Sequence, residues 1–148
     1  MYNEPFRILL ADDDEADRML FKEAFDEMKI NTRVETVNNG EQLMEYLNRT
    51  GVVLPNLLFL DLNMPRKNGL ECLKEIRSNR AFNDLSIAIY STSAAERDID
   101  ATFIAGANVY ISKPNDFNVL KLVLEKAVMS AHVYMEPPFN KSNFLLRI

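Results

Sequence analysis

The stretch LLFLDLNMP, residues 57–65, carries an apolar run that ends on one carboxylate, Asp61. Four consecutive apolar residues, 57–60, are typical of a strand that is buried on both faces of a parallel sheet. The loop that follows contains Pro65, which lacks the amide hydrogen that a strand needs. A carboxylate at the tip of a buried strand costs free energy unless a partner compensates its charge. The rest of the chain must therefore supply partners for Asp61 at that end of the strand.

Four further strand-like runs alternate with helical patterns along the chain. The helical patterns have apolar residues at three- and four-residue spacing and begin at cap residues such as Asp14 and Asp116. The predicted strands cover Phe6–Ala11, Thr32–Val37, Leu57–Leu60, 86–90 and 108–111, and a helix follows each of them, the fourth over 94–105. This alternation predicts an α/β fold, a doubly wound five-stranded parallel sheet with helices on both faces.

The polarity of the strands predicts their order in the sheet. The first and third strands are the most continuously apolar and belong in the middle, whereas the polar-mixed second strand and the short fifth strand belong at the edges. This is the flavodoxin-like (βα)5 order 2-1-3-4-5. In such sheets a ligand binds outside the carboxyl ends of the strands, at the switch point between strands one and three.

Composition disfavours several functional classes. The 148 residues suit one domain, and the net charge of −5 disfavours binding to nucleic acid. No basic run is longer than Arg66-Lys67. Cys72 is the only cysteine, so no internal disulfide can form, and neither a signal peptide nor a membrane span is predicted. We therefore expect a cytoplasmic protein that binds neither nucleic acid nor membrane.

The ends of the predicted strands carry charged and hydroxyl side chains. Asp12 and Asp13 follow the first strand, Asp61 the third, Ser91 the fourth and Lys113 the fifth. Carboxylates at close range repel one another, so a cation is expected among them, and oxygen ligands with room for water favour Mg²⁺. A carboxylate can form an acyl-phosphate, while a hydroxyl and an ammonium group stabilise the phosphoryl oxygens. The pattern therefore indicates phosphoryl transfer to Asp61.

Four motifs around these residues occur in the order and spacing of a known family. They read ILLADDDEADR at 8–18, LLFLDLNMPRKNGLECLKEIR at 57–77, IAIYSTS at 87–93 and AGANVYISKP at 105–114. The chain resembles the response-regulator receiver domains of two-component signalling, over about residues 6–131. It is similar to stand-alone, single-domain regulators, some of them paired with phytochrome-type kinases.

The resemblance implies how the acidic residues act. Asp61 would accept a phosphoryl group from a phosphohistidine and would also bind Mg²⁺. Asp13 would bind the metal ion directly, Asp12 would bind it through water, and the backbone carbonyl of Asn63 would complete the protein ligands. The protein would catalyse only its own phosphorylation and dephosphorylation.

The resemblance also implies a conformational switch. Lys113 would pair with the phosphoryl oxygens, and its peptide bond to Pro114 would be cis. Ser91 takes the place of a hydroxyl switch residue that is more often threonine, and Tyr110 takes that of an aromatic switch residue. Phosphorylation would draw the Ser91 hydroxyl towards the phosphoryl group and let Tyr110 turn inward.

Two other functions stay open as alternatives. A phosphatase or phosphotransferase could use Asp61 as its nucleophile, although this chemistry usually needs an acid two residues later, where the chain has Asn63. A receiver-like interaction module that is never phosphorylated is the second alternative, and the acidic residues and Lys113 speak against it. A flavin site of the same topology is disfavoured because Asp12, Asp13 and Asp14 would repel its phosphate.

The end of the chain determines the expected output. We predict a receiver domain over residues 1–133 and an extended C-terminal arm over 134–148, in which Pro137 and Pro138 end the last helix. The arm is rich in apolar residues, so it either folds back on its own domain or packs across a second subunit in a homodimer. The expected partners are a sensor histidine kinase or a histidine phosphotransfer protein.

Overall fold

Five parallel strands form one sheet in the order β2-β1-β3-β4-β5, and helices cover both of its faces. The computed structural model describes residues 4–133 and 144–146, without the side chains of His132 and Val133. The strands are β1 (Phe6–Ala11), β2 (Thr32–Val37), β3 (Leu57–Leu60), β4 (Ser86–Ser91) and β5 (Val109–Ser112). The helices are α1 (Glu15–Glu27), α2 (Gly40–Leu47), α3 (Gly69–Arg77), α4 (Glu96–Ala105) and α5 (Phe117–Val133), with a 3₁₀ turn at Arg80–Phe82. The predicted fold class and strand order are confirmed.

The strand bounds agree with the prediction except in β4 and β5. Strand β4 runs one residue further than predicted, to Ser91, and β5 begins and ends one residue later than predicted. Pairing between these strands explains both shifts, because Ser91 lies opposite Ser112 in the register. Among the described residues, no helix combines the length and the apolar character that a bilayer span requires.

Two apolar layers lie on opposite faces of the sheet because successive side chains of a strand point to opposite faces. Leu9 and Leu58 face the layer that α2, α3 and α4 cover, whereas Leu10 and Phe59 face the layer under α1 and α5. In the second layer the ring of Phe21 packs edge-on against Phe59, with 5.0 Å between centroids. The middle strands are therefore buried on both sides, as their apolar sequences predicted.

Caps fix where several of the helices begin and end. The side chain of Asp14 accepts a hydrogen bond from the amide of Asp17 and begins α1 directly after β1. Asn68 and Glu71 form a complete capping box at the start of α3. Gly106 ends α4 with φ of 101°, the left-handed conformation that glycine adopts without strain.

Gly69 lets the start of α3 lie directly against the end of β3. A Cβ atom at this position would be 2.2 Å from the carbonyl oxygen of Asp61 and 2.8 Å from Cα of Leu62. Its amide donates a hydrogen bond to the carbonyl of Leu62 at 3.0 Å. The loop that bears Asp61 is thus packed against the helix through backbone atoms, which cannot move aside as a flexible side chain could.

We predict that Gly69→Ala lowers the free energy of unfolding by about 3 kcal/mol, because the added methyl group collides with backbone. Chemical denaturation followed by circular dichroism measures this loss. Gly51→Ala is the control: its Cβ would meet open space, and its φ of 75° alone limits the cost to about 1 kcal/mol. Equal losses in the two variants would contradict the close approach at Gly69.

Candidate functional site

One ammonium group lies among three carboxylates at the carboxyl edge of the sheet. The Nζ atom of Lys113 is 2.8 Å from Oδ2 of Asp12, 2.8 Å from Oδ2 of Asp17 and 3.3 Å from Oδ2 of Asp61. Lys113 follows β5, and its amide donates to the carbonyl of Ser91 at 2.8 Å, which fixes the lysine beside the end of β4. The structure therefore brings the predicted lysine to the predicted aspartates.

The acidic residues also offer a site for a divalent cation. One carboxylate oxygen from each of Asp12, Asp13 and Asp61 lies within 4.8 Å of the others. Asp12 is fully buried, and its Oδ2 accepts no well-aligned hydrogen bond from the described residues, so its contact with Lys113 is a charge pair. The three groups fit a hard cation, because oxygen ligands and a buried oxygen in need of a partner are both present.

Backbone groups hold the acidic side chains in place. The amide of Asn63 donates to Oδ1 of Asp61 at 3.2 Å, and the amide of Asp14 donates to Oδ1 of Asp12 at 2.9 Å. The guanidinium of Arg18 donates to the backbone carbonyl of Asp12 at 2.9 Å. Asn63, the predicted carbonyl ligand, thus lies beside Asp61 on the exposed loop after β3.

Burial changes the protonation of the site. It raises the pKa of Asp61 from 3.8 to about 6, while the charge of Lys113 opposes this shift and the charge of Asp12 adds to it. Burial disfavours the charged form of Lys113, but the carboxylates of Asp12 and Asp17 outweigh it and raise the pKa of the lysine above its usual value. Lys113 consequently stays charged, and Asp61 is the group whose charge responds near neutral pH.

Hydroxyl groups hold the loop after β4 in place. Ser91 is fully buried at the end of β4, and its Oγ accepts a hydrogen bond from the amide of Ser93 at 3.2 Å. The hydroxyl of Ser93 donates to Asp98 on α4 at 2.5 Å. The hydroxyl of Tyr110 donates to the backbone carbonyl of Ser93 at 2.9 Å. The loop after β4 is therefore tied to both α4 and β5.

Residues 144–146 pack against Tyr110 within the same chain. The buried ring of Phe144 lies edge-on to the rings of Phe103 and Tyr110, with centroids 5.4 Å and 6.0 Å apart. Leu145 pairs with Tyr110 as a parallel bridge, and the amide of Leu146 donates to the carbonyl of Tyr110 at 3.1 Å. These three residues lie beside the edge strand β5, joined to it by this one bridge, and cover one side of the predicted switch residue. The predicted ending of α5 at Pro137 and Pro138 lies outside the described residues.

Two expectations about the switch differ from the structure. The Lys113–Pro114 bond is trans, as are all peptide bonds among the described residues, so the predicted cis bond is wrong. In the trans form Lys113 still reaches its three carboxylates, and trans is the ordinary preference before proline. We also predicted that Tyr110 turns inward on phosphorylation, whereas the structure already has it inward, only 1% exposed and packed against Phe144.

Sequence reasoning missed Asp17 in this region and left open whether Phe144 packs on its own domain or on a second subunit. Asp17 was not predicted to contact Lys113, because an acidic residue in the first turn of a helix is ordinarily explained by the helix dipole. Its position four residues after Asp13 was the available signal. Phe144 was predicted to need a cover, but the surface that it packs against could not be identified without the fold.

Comparison with known proteins identifies the family. The model of the response regulator receiver domain matches residues 8–125. The chain is 32% identical to the response regulator Rcp1 of Synechocystis sp. over 122 residues, which cover 80% of this chain and 83% of Rcp1. It is 30% identical over 126 residues to the probable methanogenesis regulatory protein FilR2 of Methanothrix harundinacea, covering 83% of this chain and 81% of FilR2. The chain therefore belongs to the response regulator receiver domain family.

Solved structures agree with this assignment. The phosphorylated cyanobacterial phytochrome response regulator RcpA superposes with a TM-score of 0.81 at 30% identity, covering 88% of this chain and 96% of RcpA. The Mn²⁺-bound form of Rcp1 superposes with a TM-score of 0.77 at 28% identity, covering 90% of this chain and all of that one. Receiver domains accept a phosphoryl group on an aspartate, bind a divalent metal ion at the acidic pocket and signal by a change of conformation. Histidine kinases phosphorylate receivers of this type.

Charge at Asp61 is expected to destabilise the domain when metal is removed. Between about pH 4 and pH 6 the folded protein keeps a proton on Asp61 that the unfolded chain has lost, so stability falls as pH rises through this window. Asp61→Asn removes this loss. In EDTA at pH 8 we expect the free energy of unfolding of the variant to exceed that of the wild type by up to about 3 kcal/mol. Near pH 4 we expect the two values to be equal.

Chemical denaturation at the two pH values measures this difference. Asp84→Asn is the control, because Asp84 is exposed before β4, at the opposite edge of the sheet. A gap between the Asp61→Asn variant and the wild type that is the same at both pH values would contradict the raised pKa.

Packing of Phe144 is expected to stabilise the domain. Phe144→Ala removes a fully buried ring and should lower the free energy of unfolding by about 3 kcal/mol. Ile104→Ala, on the outer face of α4 with 81% of the residue exposed, should change it by less than about 0.5 kcal/mol. Denaturation in urea measures both. A Phe144→Ala variant as stable as the Ile104→Ala variant would contradict the docking of residues 144–146.

Proposed function

We propose that this chain accepts a phosphoryl group on Asp61 from a phosphohistidine of a sensor histidine kinase or a histidine phosphotransfer protein. The observation that supports this proposal most strongly is that Asp61, two further carboxylates and Lys113 lie together at one edge of the sheet. Asp61 has the nucleophilic oxygen, and the lysine has the positive charge that an incoming phosphoryl group needs. The loop beyond Asp61 presents Asn63 rather than an acid, which disfavours a phosphatase that must protonate a leaving group.

Phosphoryl transfer follows from the positions of these groups. A carboxylate oxygen of Asp61 attacks phosphorus, the phosphorus–nitrogen bond of the donor breaks, and its electron pair returns to the imidazole nitrogen. Asp13, Asp61 and the carbonyl of Asn63 would hold Mg²⁺ directly and Asp12 would hold it through water, and the bound ion would supply positive charge for the phosphoryl oxygens. Lys113 supplies a second positive charge, 3.3 Å from Asp61. Hydrolysis of the acyl-phosphate returns Asp61 to its free form, so the protein acts only on itself.

The signal is read from the loop after β4. Ser91 lies buried beside the site, and drawing its hydroxyl towards the phosphoryl group breaks the hydrogen bond that it accepts from Ser93. Ser93 is tied in turn to Asp98 and Tyr110, so this movement reaches α4 and β5. The readout is therefore a shift of the surface formed by α4, β5 and the docked residues 144–146, rather than an inward turn of Tyr110.

We infer the partners from the same surface. The kinase or phosphotransfer protein must reach Asp61 from the open edge of the sheet. A homodimer that forms through the α4–β5 surface would compete with residues 144–146 for contact with β5. Receivers paired with phytochromes, such as RcpA, make a phytochrome-type kinase a reasonable donor. The acidic chain is proposed to act in the cytoplasm, without binding nucleic acid or membrane.

Asp61→Asn is expected to abolish phosphorylation. With acetyl phosphate and Mg²⁺, intact-mass spectrometry should show one added phosphoryl group on the wild type and none on this variant or on samples in EDTA, because nucleophile and cation are both required. Asp84→Asn should be labelled like the wild type. Equal labelling of the Asp61→Asn variant would show that another residue is the acceptor.

A further inference from the structure

Lys113 contacts Asp12 and Asp17 as well as Asp61. Ammonium–carboxylate hydrogen bonds are normally about 2.7–2.9 Å long. The distances of 2.8 Å to Asp12 and Asp17 fall within that range, whereas the distance of 3.3 Å to Asp61 does not. The lysine is therefore held more closely by a residue of α1 than by the residue that we propose as the phosphoryl acceptor.

Local capping explains why Asp17 is available to Lys113. Asp17 is the third residue of α1, the position from which an acidic side chain usually turns back to the amide of the cap residue. Glu71 does this at the start of α3, where it accepts from the amide of Asn68 at 2.9 Å. At the start of α1 the corresponding amide, that of Asp14, already donates to Asp12. The carboxylate of Asp17 is thereby released from capping and contacts Lys113 instead.

The number of donors on Lys113 determines what happens when a phosphoryl group arrives. An ammonium group has three hydrogens, and three carboxylates already surround it. A phosphoryl group on Asp61 adds further oxygens, which compete with these carboxylates for the lysine. The side chain of Asp17 is 32% exposed, whereas those of Asp12 and Asp61 are 0% and 7% exposed. Asp61 loses its negative charge when one of its oxygens is bonded to phosphorus, so Asp12 and Asp17 are the carboxylates that compete with the phosphoryl group. Water can solvate Asp17 after the lysine leaves, but the buried Asp12 would be left uncompensated at high cost.

We propose that Asp17 is a positioning residue that holds the Lys113 ammonium group before phosphorylation and releases it to the phosphoryl group on Asp61. By holding the lysine 3.3 Å from Asp61, Asp17 leaves the charge of Asp61 less neutralised and so favours the approach of the divalent cation. Phosphorylation then exchanges the Asp17 contact for a contact with a phosphoryl oxygen. This role rests on the proposed function of Asp61.

Carboxyl-carbon NMR tests the release directly. Beryllofluoride, which mimics a phosphoryl group on a carboxylate, is added to the Mg²⁺-loaded wild-type protein, and the side-chain carbon of Asp17 and the amide of Asn63 are followed. We expect both signals to shift, because Asn63 reports binding at Asp61 and Asp17 reports loss of the lysine. A shift of Asn63 with an unchanged Asp17 would overturn the role of Asp17 alone. No shift of either signal would overturn the proposed function, and this inference with it.

Substitution tests the holding step. In Asp17→Asn the lysine is free to move closer to Asp61, so calorimetric titration should give a Mg²⁺ dissociation constant about three- to tenfold above that of the wild type. The ¹⁵N signal of the Lys113 ammonium group should shift in the same variant. Glu15→Gln removes an equal charge from the exposed first turn of α1 and should alter neither value beyond about twofold.

The double variant separates positioning from simple charge removal. If Asp17 acts through the lysine, Asp17→Asn should change Mg²⁺ affinity much less in a Lys113→Gln background than in the wild type. An undiminished effect in that background, or an unchanged Lys113 signal in the single variant, would overturn the proposal.

Discussion

Like charges at the carboxyl edge of the sheet are the constraint on which the rest of the site depends. A parallel sheet brings the ends of its middle strands together, and here both ends carry buried carboxylates, Asp12 and Asp61. Their repulsion must be compensated by positive charge, since buried charges are tolerated only when paired. Lys113 supplies one charge, and the geometry of the three carboxylates leaves a place for a divalent cation. The ionisation of Asp61 thus depends on the groups around it.

The surrounding fold holds these charges in fixed positions. Gly69 lets α3 pack against the backbone of Asp61, and the amide of Lys113 is bonded to the end of β4. The loop after β4 connects the site to α4 and to Tyr110, whose other side is covered by Phe144. A change of charge at Asp61 can therefore be transmitted outward through a short series of direct contacts. Residues 144–146 pack against Tyr110, the last residue in this series of contacts.

The sequence predicted the fold well because its signals are local and repeated. Among the described residues, apolar runs and three- and four-residue spacing identified the five strands and the five α-helices but not the 3₁₀ turn at Arg80–Phe82, and strand polarity identified the strand order. The site was predictable because parallel strands must end at one edge, which places Asp12, Asp61 and Lys113 together whatever the details of packing. Shifts of one residue in β4 and β5 arose from pairing between strands, which no single strand encodes.

The remaining features depend on contacts between distant parts of the chain. Asp17 acts through Lys113, which is far along the sequence, and its helix position alone has an ordinary explanation. The orientation of Tyr110 is set by Phe144 and Ser93, and the isomer before Pro114 was carried over from the resemblance rather than read from the chain. Such features require the folded arrangement of side chains.

Anomalous diffraction from crystals soaked in Mn²⁺ tests the central claim most directly, because it locates a cation relative to the charges that are said to require it. The account predicts a single strong peak among the carboxylates of Asp12, Asp13 and Asp61, with the Lys113 ammonium group still beside Asp61. A pocket without a peak at saturating Mn²⁺, or a peak bound elsewhere while Lys113 alone compensates the carboxylates, would contradict it.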